Sequence, residues 1–368
     1  MFSKRFMVLI AGILVAALII VGCGQSGSKT GEASEPSTKV STITLTYSDH
    51  DPPGGMRTEF IKNVWFPEIE KQTNGRVKIN ANFGGSLLSS TEALDGAAGG
   101  VADMVMIFSD FYPEKMFGFQ IYKLFPRSPE KWENISYVFE TSMKELPMLQ
   151  QELEKHNLKP LLVTVGLPSV FGATYKIEGV KDIVNKKWRA SSRWHLETLK
   201  HIGANAVSVP WEDVYISLET GVIDGVMTNY DGFHMMRFYE PAKEIVLAPQ
   251  LWWGTPFLHT INTNVWNSLP EDIQQGILKA TEIAQQKFGD LFASELERTV
   301  EEQRAAGCNV KIADEEDVAL VDDPVLLTRL REIWIKEAVS TQGLTEEEAQ
   351  GYMDKMEQIM NEALAREG

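Results

Sequence analysis

The 368-residue sequence predicts an α/β fold with two lobes, and three patterns favour it. Residues 43–108 and 187–225 each alternate short apolar strands with helices, which is typical of a parallel sheet covered by helices. Extended segments at 160–165, 171–176 and 249–264 connect these regions and are expected to form hinge strands. Because chains longer than about 250 residues usually divide into domains, we expect one lobe around each region.

The first region begins with a strand over 43–47, in which apolar and polar residues alternate. In the helix that follows, Pro67 predicts a kink and Gly75 marks the end. In chain order we predict a helix over 56–72, a strand over 77–83, a helix over 92–98, a strand over 103–108 and a helix over 131–153.

The second region repeats a strand-helix unit. A strand over 187–190 carries apolar residues on one face and Arg189 on the other. The next helix is capped by Ser191 or Ser192 and ends at Gly203. A strand over 206–209, a helix over 211–220 and a third strand ending near 225 follow. Ligands of open α/β sheets bind beyond the carboxyl ends of the strands, where this prediction places Arg189.

The C-terminal third is expected to be mainly helical. One helical pattern runs from 270 to 306 and would span ~55 Å, more than one lobe, and Gly307 ends it. Two further helices are predicted, one beginning at Asp323 and one at a capping box formed by Thr345 and Glu348.

The N-terminus carries export and anchoring signals. Residues 1–22 predict a signal peptide, because Lys4 and Arg5 precede an apolar run. The sequence Ile-Val-Gly-Cys then ends at Cys23 and predicts a lipidated cysteine, with a membrane anchor through the lipid. An uncleaved membrane anchor, or an ordinary signal with a chance cysteine, is the alternative. Residues 23–41 are rich in Gly, Ser and Thr and predict a flexible tether.

Composition restricts the class of protein. The hydrophobic fraction of 43% is that of a soluble globular protein. The formal net charge is −16 and becomes −18 without Lys4 and Arg5, which argues against a nucleic-acid partner. Lipidation of Cys23 leaves Cys308 without a cysteine partner, so no disulfide is expected. We expect no metal and no cofactor.

A set of ordered motifs extends over about eighty residues and resembles the DctP family, the solute-binding subunits of tripartite ATP-independent periplasmic (TRAP) transporters. The motifs are Lys187-Trp188-Arg189, Gly203-Ala204, Pro210 to Tyr215 with Leu218, Gly221 to Gly225, Phe238-Tyr239-Glu240 and Trp266 to Pro270. Weaker similarities are Thr73 to Val77, Phe83 to Leu87 and Gly100 to Met104.

The resemblance implies a periplasmic-binding-protein-like fold with hinge strands and a long C-terminal helix that spans both lobes. It also implies that Arg189 clamps the carboxylate of the ligand. The expected boundaries are 42–166 for lobe I with part of 255–306, 167–254 for lobe II, 255–306 for a crossover strand and the spanning helix, and 307–368 for C-terminal helices.

The chain also departs from the family pattern. Residues 224–231 replace the Asn, or the Glu-Trp pair, that helps hold the ligand or a metal in many members. No second arginine is found over 161–176, where some members offer one. These departures predict a monocarboxylate with an apolar or aromatic portion.

Several further residues are candidate ligand contacts. Thr228, Asn229 and Asp231 follow a predicted strand, and His50 follows the first strand, although a lone histidine is more often a loop residue. The aromatic candidates are Phe171, Trp211, Trp252 and Trp253, for each of which core packing is the alternative. Because neighbouring strand residues point to opposite faces, one of the two adjacent tryptophans is expected to leave its core.

The sequence therefore predicts an exported, lipid-anchored binding protein on the periplasmic or extracellular side. It is expected to act as a monomer, to close on an organic acid and to deliver it to the integral membrane subunits of a TRAP permease. A ligand-sensing module for a membrane receptor kinase is the alternative. The sequence contains no G-x-S-x-G, H-E-x-x-H, C-x-x-C or phosphate-binding loop, so we do not expect an enzyme.

Overall fold

Two mixed β-sheets surrounded by helices form the part of the chain that the computed structural model describes, residues 42–367. The strands are β1 (Ile43–Ser48), β2 (Val77–Asn82), β3 (Met104–Phe108), β4 (Leu158–Thr164), β5 (Ser169–Ala173), β6 (Lys187–Arg189), β7 (Asn205–Val207), β8 (Gly225–Asn229), β9 (Glu244–Ala248), β10 (Phe257–Asn262) and β11 (Asn309–Ile312).

Thirteen α-helices cover these sheets in the described region. They are α1 (Met56–Phe60), α2 (Phe66–Gln72), α3 (Ala93–Ala98), α4 (Trp132–Glu145), α5 (Pro147–Lys155), α6 (Arg193–Ile202), α7 (Val214–Glu219), α8 (Tyr230–Met235), α9 (Thr263–Ser268), α10 (Glu271–Ala305), α11 (Glu315–Val321), α12 (Pro324–Gln342) and α13 (Glu346–Ala365). The prediction of an α/β fold with two sheet regions is confirmed.

The first sheet has the order β2-β1-β3-β10-β4. Its first three strands are parallel, whereas β10 is antiparallel to both β3 and β4. The second sheet has the order β11-β9-β5-β8-β6-β7. In it β6, β7 and β8 are parallel, as the repeated strand-helix units predict. Strand β5 is antiparallel to β8 and β9.

The chain crosses between the sheets three times. Residues 165–168 connect β4 to β5, residues 249–256 connect β9 to β10, and α9 and α10 lead from β10 to β11. The first two connections are short and contain no helix, and they match the two crossovers that the sequence predicts.

Helix α10 is long and contacts both sheet regions. It packs against α2, α4 and β4 beside the first sheet and against α8 and β11 beside the second. It ends before Gly307, whose φ of 85° is the left-handed conformation that glycine tolerates. The long spanning helix predicted over 270–306 is therefore present.

Local details differ from the predictions where proline or tertiary pairing intervenes. The single helix predicted over 131–153 is wrong, because Leu146 before Pro147 is non-helical and separates α4 from α5. A π-helical turn, Ile61–Trp65, interrupts the helix predicted over 56–72 just before Pro67. The prediction that residues 307–368 contain only helices is also wrong, because β11 lies there and pairs with β9.

Candidate functional site

A small cavity of ≈ 30 Å³ lies between the two sheets, beyond the ends of several strands. Polar residues of its wall follow β1 and end β6 and β8, and Trp253 comes from the second crossover. The lining residues are His50, Asp51, Met56, Arg57, Phe108, Phe111, Arg189, Ser191, Trp211, Thr228, Asn229, Asp231, Gly232, Met235, Trp253 and Phe257.

Arg189 is the last residue of β6 and is only 1% exposed. Its Nε donates to the Val209 carbonyl at 3.0 Å, but its Nη1 is buried without a hydrogen-bond partner in the described part of the chain. The guanidinium lies 5.5 Å from the ring centre of Trp211. Burial lowers the pKa of Arg189 to about 10, although the charges of Asp110 and Glu212 oppose this effect.

A second arginine, Arg57 in α1, also reaches the cavity and was not among the predicted contacts. Its Nη1 donates to Asp49 at 2.5 Å, and its Nη2 donates to both Asp49 and Asp51. Burial alone would raise the pKa of Asp49, but Arg57 outweighs it and the pKa falls to about 2. The charge of Arg57 is therefore more than balanced by two carboxylates. In the sequence the two aspartates lie eight and six residues before Arg57, outside its helix, and this spacing alone does not indicate that they pair.

A buried ion pair between Lys123 and Asp110 lies near Arg189, and Lys123 Nζ is 3.1 Å from the Asp110 carboxylate. Asp110 also accepts from Ser191 at 3.0 Å and from Thr255 at 2.9 Å. Burial lowers the pKa of Lys123 to about 8 in spite of Asp110. The Lys123 ammonium is 4.3 Å from the ring centre of Trp253. This pair links the loop after β3 to the residues next to Arg189.

The end of β8 contributes a polar group. Asp231 Oδ1 accepts from the Leu167 amide and from Asn229 Nδ2, both at 2.7 Å. Thr228 in turn donates to Asn229 Oδ1 at 3.1 Å. Burial raises the pKa of Asp231 to about 6, although the hydrogen bonds from Asn229 and Leu167 and the charge of Arg57 oppose this shift.

Seven of the nine predicted ligand contacts line this one cavity. They are Arg189, Thr228, Asn229, Asp231, Trp211, Trp253 and His50. Phe171 does not, because it is in the middle of β5 and packs 6.1 Å from Trp188 in the core. Trp252 does not either, because its indole is stacked on Phe139 and its Nε1 donates to the Phe125 carbonyl. Cys23, the signal 1–22 and the tether 23–41 lie outside the described residues.

A larger cavity of ≈ 970 Å³ lies away from Arg189, between the crossovers, α4 and α10. Trp252 faces it, and Trp253 is part of the wall of both cavities. The two adjacent tryptophans thus share one cavity wall, and Trp253 alone of the two also lines the small cavity. Both indoles are nevertheless buried, so neither leaves its surroundings for solvent.

Over residues 42–367 no group of His, Cys, Asp and Glu has the arrangement of a metal site. A search of the same residues found no helix whose length and apolarity would let it cross a membrane. Cys308, the cysteine in this part of the chain, is buried and free.

Residues 52–323 match the family described as bacterial extracellular solute-binding protein, family 7, or DctP. A solute-binding protein from Chromohalobacter salexigens is 27% identical over 153 residues, which cover 41% of this chain and 44% of that protein. The chain thus matches less than half the length of that relative. The C4-dicarboxylate-binding periplasmic protein DctP of Rhodobacter capsulatus is 24% identical over 245 residues, covering 66% of this chain and 72% of that protein.

Among solved structures, the chain is similar to a TRAP solute-binding protein from Rhodoferax ferrireducens T118 in complex with copurified benzoate. The TM-score is 0.76 at 16% sequence identity, and the match covers 89% of this chain and 100% of the other. At this identity the similarity shows the fold, which agrees with the predicted periplasmic-binding-protein-like architecture.

Proposed function

The chain belongs to the DctP family of bacterial extracellular solute-binding proteins, and from this premise we propose that it captures an organic acid anion and delivers it to a TRAP-type permease. In this role it is a binding component without catalytic activity. It works outside the cytoplasm, where the family acts.

The observation that carries this proposal is the unpartnered Nη1 of Arg189. A buried donor of a charged group without a partner is costly, and a carboxylate supplies two acceptors in the geometry of the guanidinium fork. Arg189 is positioned for this contact, because its Nε is already fixed by Val209 and its Nη1 belongs to a residue of the cavity wall.

In this conformation the small cavity is too small for an organic acid, since its volume of ≈ 30 Å³ accommodates roughly one or two water molecules. We therefore propose that the cleft opens to admit the ligand and closes on it. The proposed lobes are 42–166 with part of 255–306, and 167–254, with the two crossovers as hinges. A ligand drives closure only through a higher affinity for the closed state.

The proposed ligand is a monocarboxylate with an apolar or aromatic portion. Phe108, Phe111, Trp211, Trp253 and Phe257 supply an apolar wall. The benzoate that copurified with the structural relative is an acid of this kind.

The other cations near the cavity do not offer a second free anion site. Arg57 is balanced by Asp49 and Asp51, and Lys123 by Asp110. Burial, together with the charges of Lys123 and Arg189, holds the pKa of His195 well below its usual value, so this ring is neutral at pH 7. A second ligand carboxylate would thus remain desolvated without a cation.

The test uses the mature protein, with mass spectrometry to identify a copurified acid and calorimetry to measure its affinity. Arg189→Ala and Arg189→Lys should each weaken binding by about 2 to 5 kcal/mol, since a lysine point charge does not replace the fork. Arg193→Ala is the control, because Arg193 is exposed and pairs with Glu337. Affinities of the Arg189 variants within about threefold of wild type would contradict the proposal.

We also propose that Cys23 is lipidated and that the anchored protein is monomeric. The support is the sequence alone, a lipobox-like motif after an apolar run. Cys23→Ala should release the protein from the detergent phase or block its processing. Unchanged partitioning of the variant would contradict the anchor, and light scattering of the mature chain tests the monomer.

A further inference from the structure

The charges around the small cavity are separated into two sides. Arg189 is on one side, where the nearest acidic charges are Asp110 and Glu212. The indole of Trp211 lies between this arginine and Asp51: its ring faces the Arg189 guanidinium at 5.5 Å, and its Nε1 donates to Asp51 Oδ1 at 3.2 Å. The face of the indole is thus next to a cation, and its N–H edge is next to a carboxylate.

The second side of the cavity carries an excess of negative charge. Asp49 and Asp51 share the single cation of Arg57, so this buried trio has a net charge of about −1 when both carboxylates are ionised. Asp231 faces Arg57 as well and adds a further carboxyl group to the wall. Lys123 does not balance this side, because its ammonium is paired with Asp110.

Asp231, in the cavity wall, has acceptor capacity that its hydrogen bonds do not use. Both hydrogen bonds that it accepts from the Leu167 amide and Asn229 Nδ2 end on Oδ1. A carboxylate has two oxygens and about four acceptor positions, so Oδ2 is left to receive a donor. A carboxylate oxygen in the cavity wall next to an already neutralised arginine favours a donor or a positive charge over an apolar group.

We infer that the ligand is a monocarboxylate that also carries a nitrogen donor, such as an ammonium or an amide N–H, and that Asp231 and Asp51 receive this nitrogen while Arg189 holds the carboxylate. This inference rests on the proposed function, because it takes Arg189 as the carboxylate contact. Asp231 and Asp51 would then determine which acid binds. A ligand that places a second carboxylate beside them is rejected, and one that places an apolar group there binds more weakly than one that places an N–H there.

The experiment compares acids of equal shape on the mature wild-type protein by calorimetry at pH 7.5. One series is 3-(aminomethyl)benzoate, 3-ethylbenzoate and isophthalate, and a linear series is 5-aminopentanoate, hexanoate and glutarate. We expect the amino acid of at least one series to bind tenfold or more tightly than both of its partners. Tightest binding by isophthalate or glutarate, or equal affinities within both series, would overturn the inference.

The variant Asp231→Asn tests whether the charge of Asp231 is responsible for the preference for a nitrogen donor. Its amide oxygen can still accept from Leu167 and Asn229, so the variant removes the charge and keeps the local hydrogen bonds. The preference for the amino acid should fall at least fivefold in Asp231→Asn and stay unchanged in the control Asp213→Asn, which alters an exposed aspartate near Trp211. An unchanged preference in a folded Asp231→Asn protein would overturn the inference. If this variant does not fold, the comparison of acids on the wild type still decides.

The proposed function and the nitrogen-donor inference are tested separately by these measurements. If the acids bind and Arg189→Lys abolishes their binding, but no series prefers the nitrogen donor, the proposed function stands and this inference falls. If neither these acids nor any copurified acid binds, or if binding does not depend on Arg189, the proposed function falls and the inference falls with it.

Discussion

Arg57 illustrates how a single residue supports both the first sheet and the cavity. Its side chain is buried and bridges Asp49 and Asp51. Removal of one partner of a buried ion pair leaves charge without compensation, so Arg57→Ala should lower the free energy of unfolding by about 3 to 5 kcal/mol. Chemical denaturation measures this change. The control Arg329→Ala breaks an exposed pair with Glu197 and should cost about 1 kcal/mol or less. Similar losses for both variants would contradict the role of Arg57.

Glu152 predicts a pH dependence of stability. It is buried, and its Oε1 accepts from the Gly118 amide at 2.6 Å while Oε2 has no partner among the described residues. Burial raises its pKa to about 7, against the opposing effects of the backbone amides of residues 117–119 and of Lys155. Because the folded state holds this proton more tightly than the unfolded state, stability falls as the pH rises from about 4.5 to 7.

Glu152→Gln should remove this fall and keep the acceptor for Gly118. The variant is expected to match wild type near pH 4 and to exceed its unfolding free energy by up to about 3 kcal/mol at pH 8. Denaturant titrations at both pH values provide the measurement. Glu140→Gln, at an exposed position of α4, is the control. If the difference between Glu152→Gln and wild type is the same at both pH values, the buried ionisation is not the cause.

Sequence reasoning found Arg189 and missed Arg57 for a physical reason. Arg189 ends a strand that has an apolar partner face, so the pattern marks its position. Arg57 lies on a helix, and only the fold brings it against the aspartates that follow β1. The aromatic candidates show the same limit, because composition does not distinguish Trp253, in the cavity wall, from Phe171, in the core.

At the scale of elements, two glycines in long helices should respond in opposite ways to the same substitution. A Cβ on Gly276 of α10 would lie 2.8 Å from the Gln72 carbonyl of α2, whereas nothing lies within 4 Å of one on Gly351 of α13. Gly276→Ala should therefore destabilise by about 1 to 3 kcal/mol. Gly351→Ala should stabilise by up to about 1 kcal/mol through helix propensity.

Thermal or chemical unfolding of the two alanine variants compares them directly. A stabilised Gly276→Ala protein would show that α10 and α2 are not in the close contact described. A destabilised Gly351→Ala protein would show that the outer face of α13 is covered.

Elements with strong local signals were predictable, and those that depend on distant pairing were not. Gly203 ends α6 with a φ of 104°, and Thr345 and Glu348 form the capping box of α13. Strands β9 and β11 were missed, because each is short and depends on pairing with distant segments, β9 with β5 and β11, and β11 with β9. The break at Leu146 was also missed, although Pro147 supplied the signal.

At the scale of the whole molecule, hydrogen bonds between the two sheet regions should oppose the proposed opening. Ser90, in the loop after β2, donates to Glu212, in the segment after β7, at 3.1 Å. Ser191 and Asp110 form a similar contact at 3.0 Å. Since a hydrogen bond to a charged group contributes about 1.5 to 3 kcal/mol, loss of one should raise the open-to-closed ratio of the unliganded protein by about ten- to a hundredfold.

Ser90→Ala tests this expectation away from the cavity wall. Single-molecule energy transfer between dyes on the exposed residues Lys62 and Glu219 reports the separation of the two regions. The variant should show a larger fraction of long distances, and saturating ligand should reverse it. Ser136→Ala is the control, because Ser136 donates to Glu140 within α4. Identical distance distributions for Ser90→Ala and wild type would contradict a closure role for this bond.

Helix α10 also determines how such a motion is distributed. It is fixed to the first sheet region where Thr281 accepts from Trp65 and Gln285 donates to the Val163 carbonyl. It is fixed to the second where Glu302 lies 3.2 Å from His234. In the opening proposed above, the two crossovers are the hinges, and α10 spans the boundary between the regions that move. The helix would then have to bend, or release its contacts at one end, so the strength of these contacts would limit how far the cleft opens.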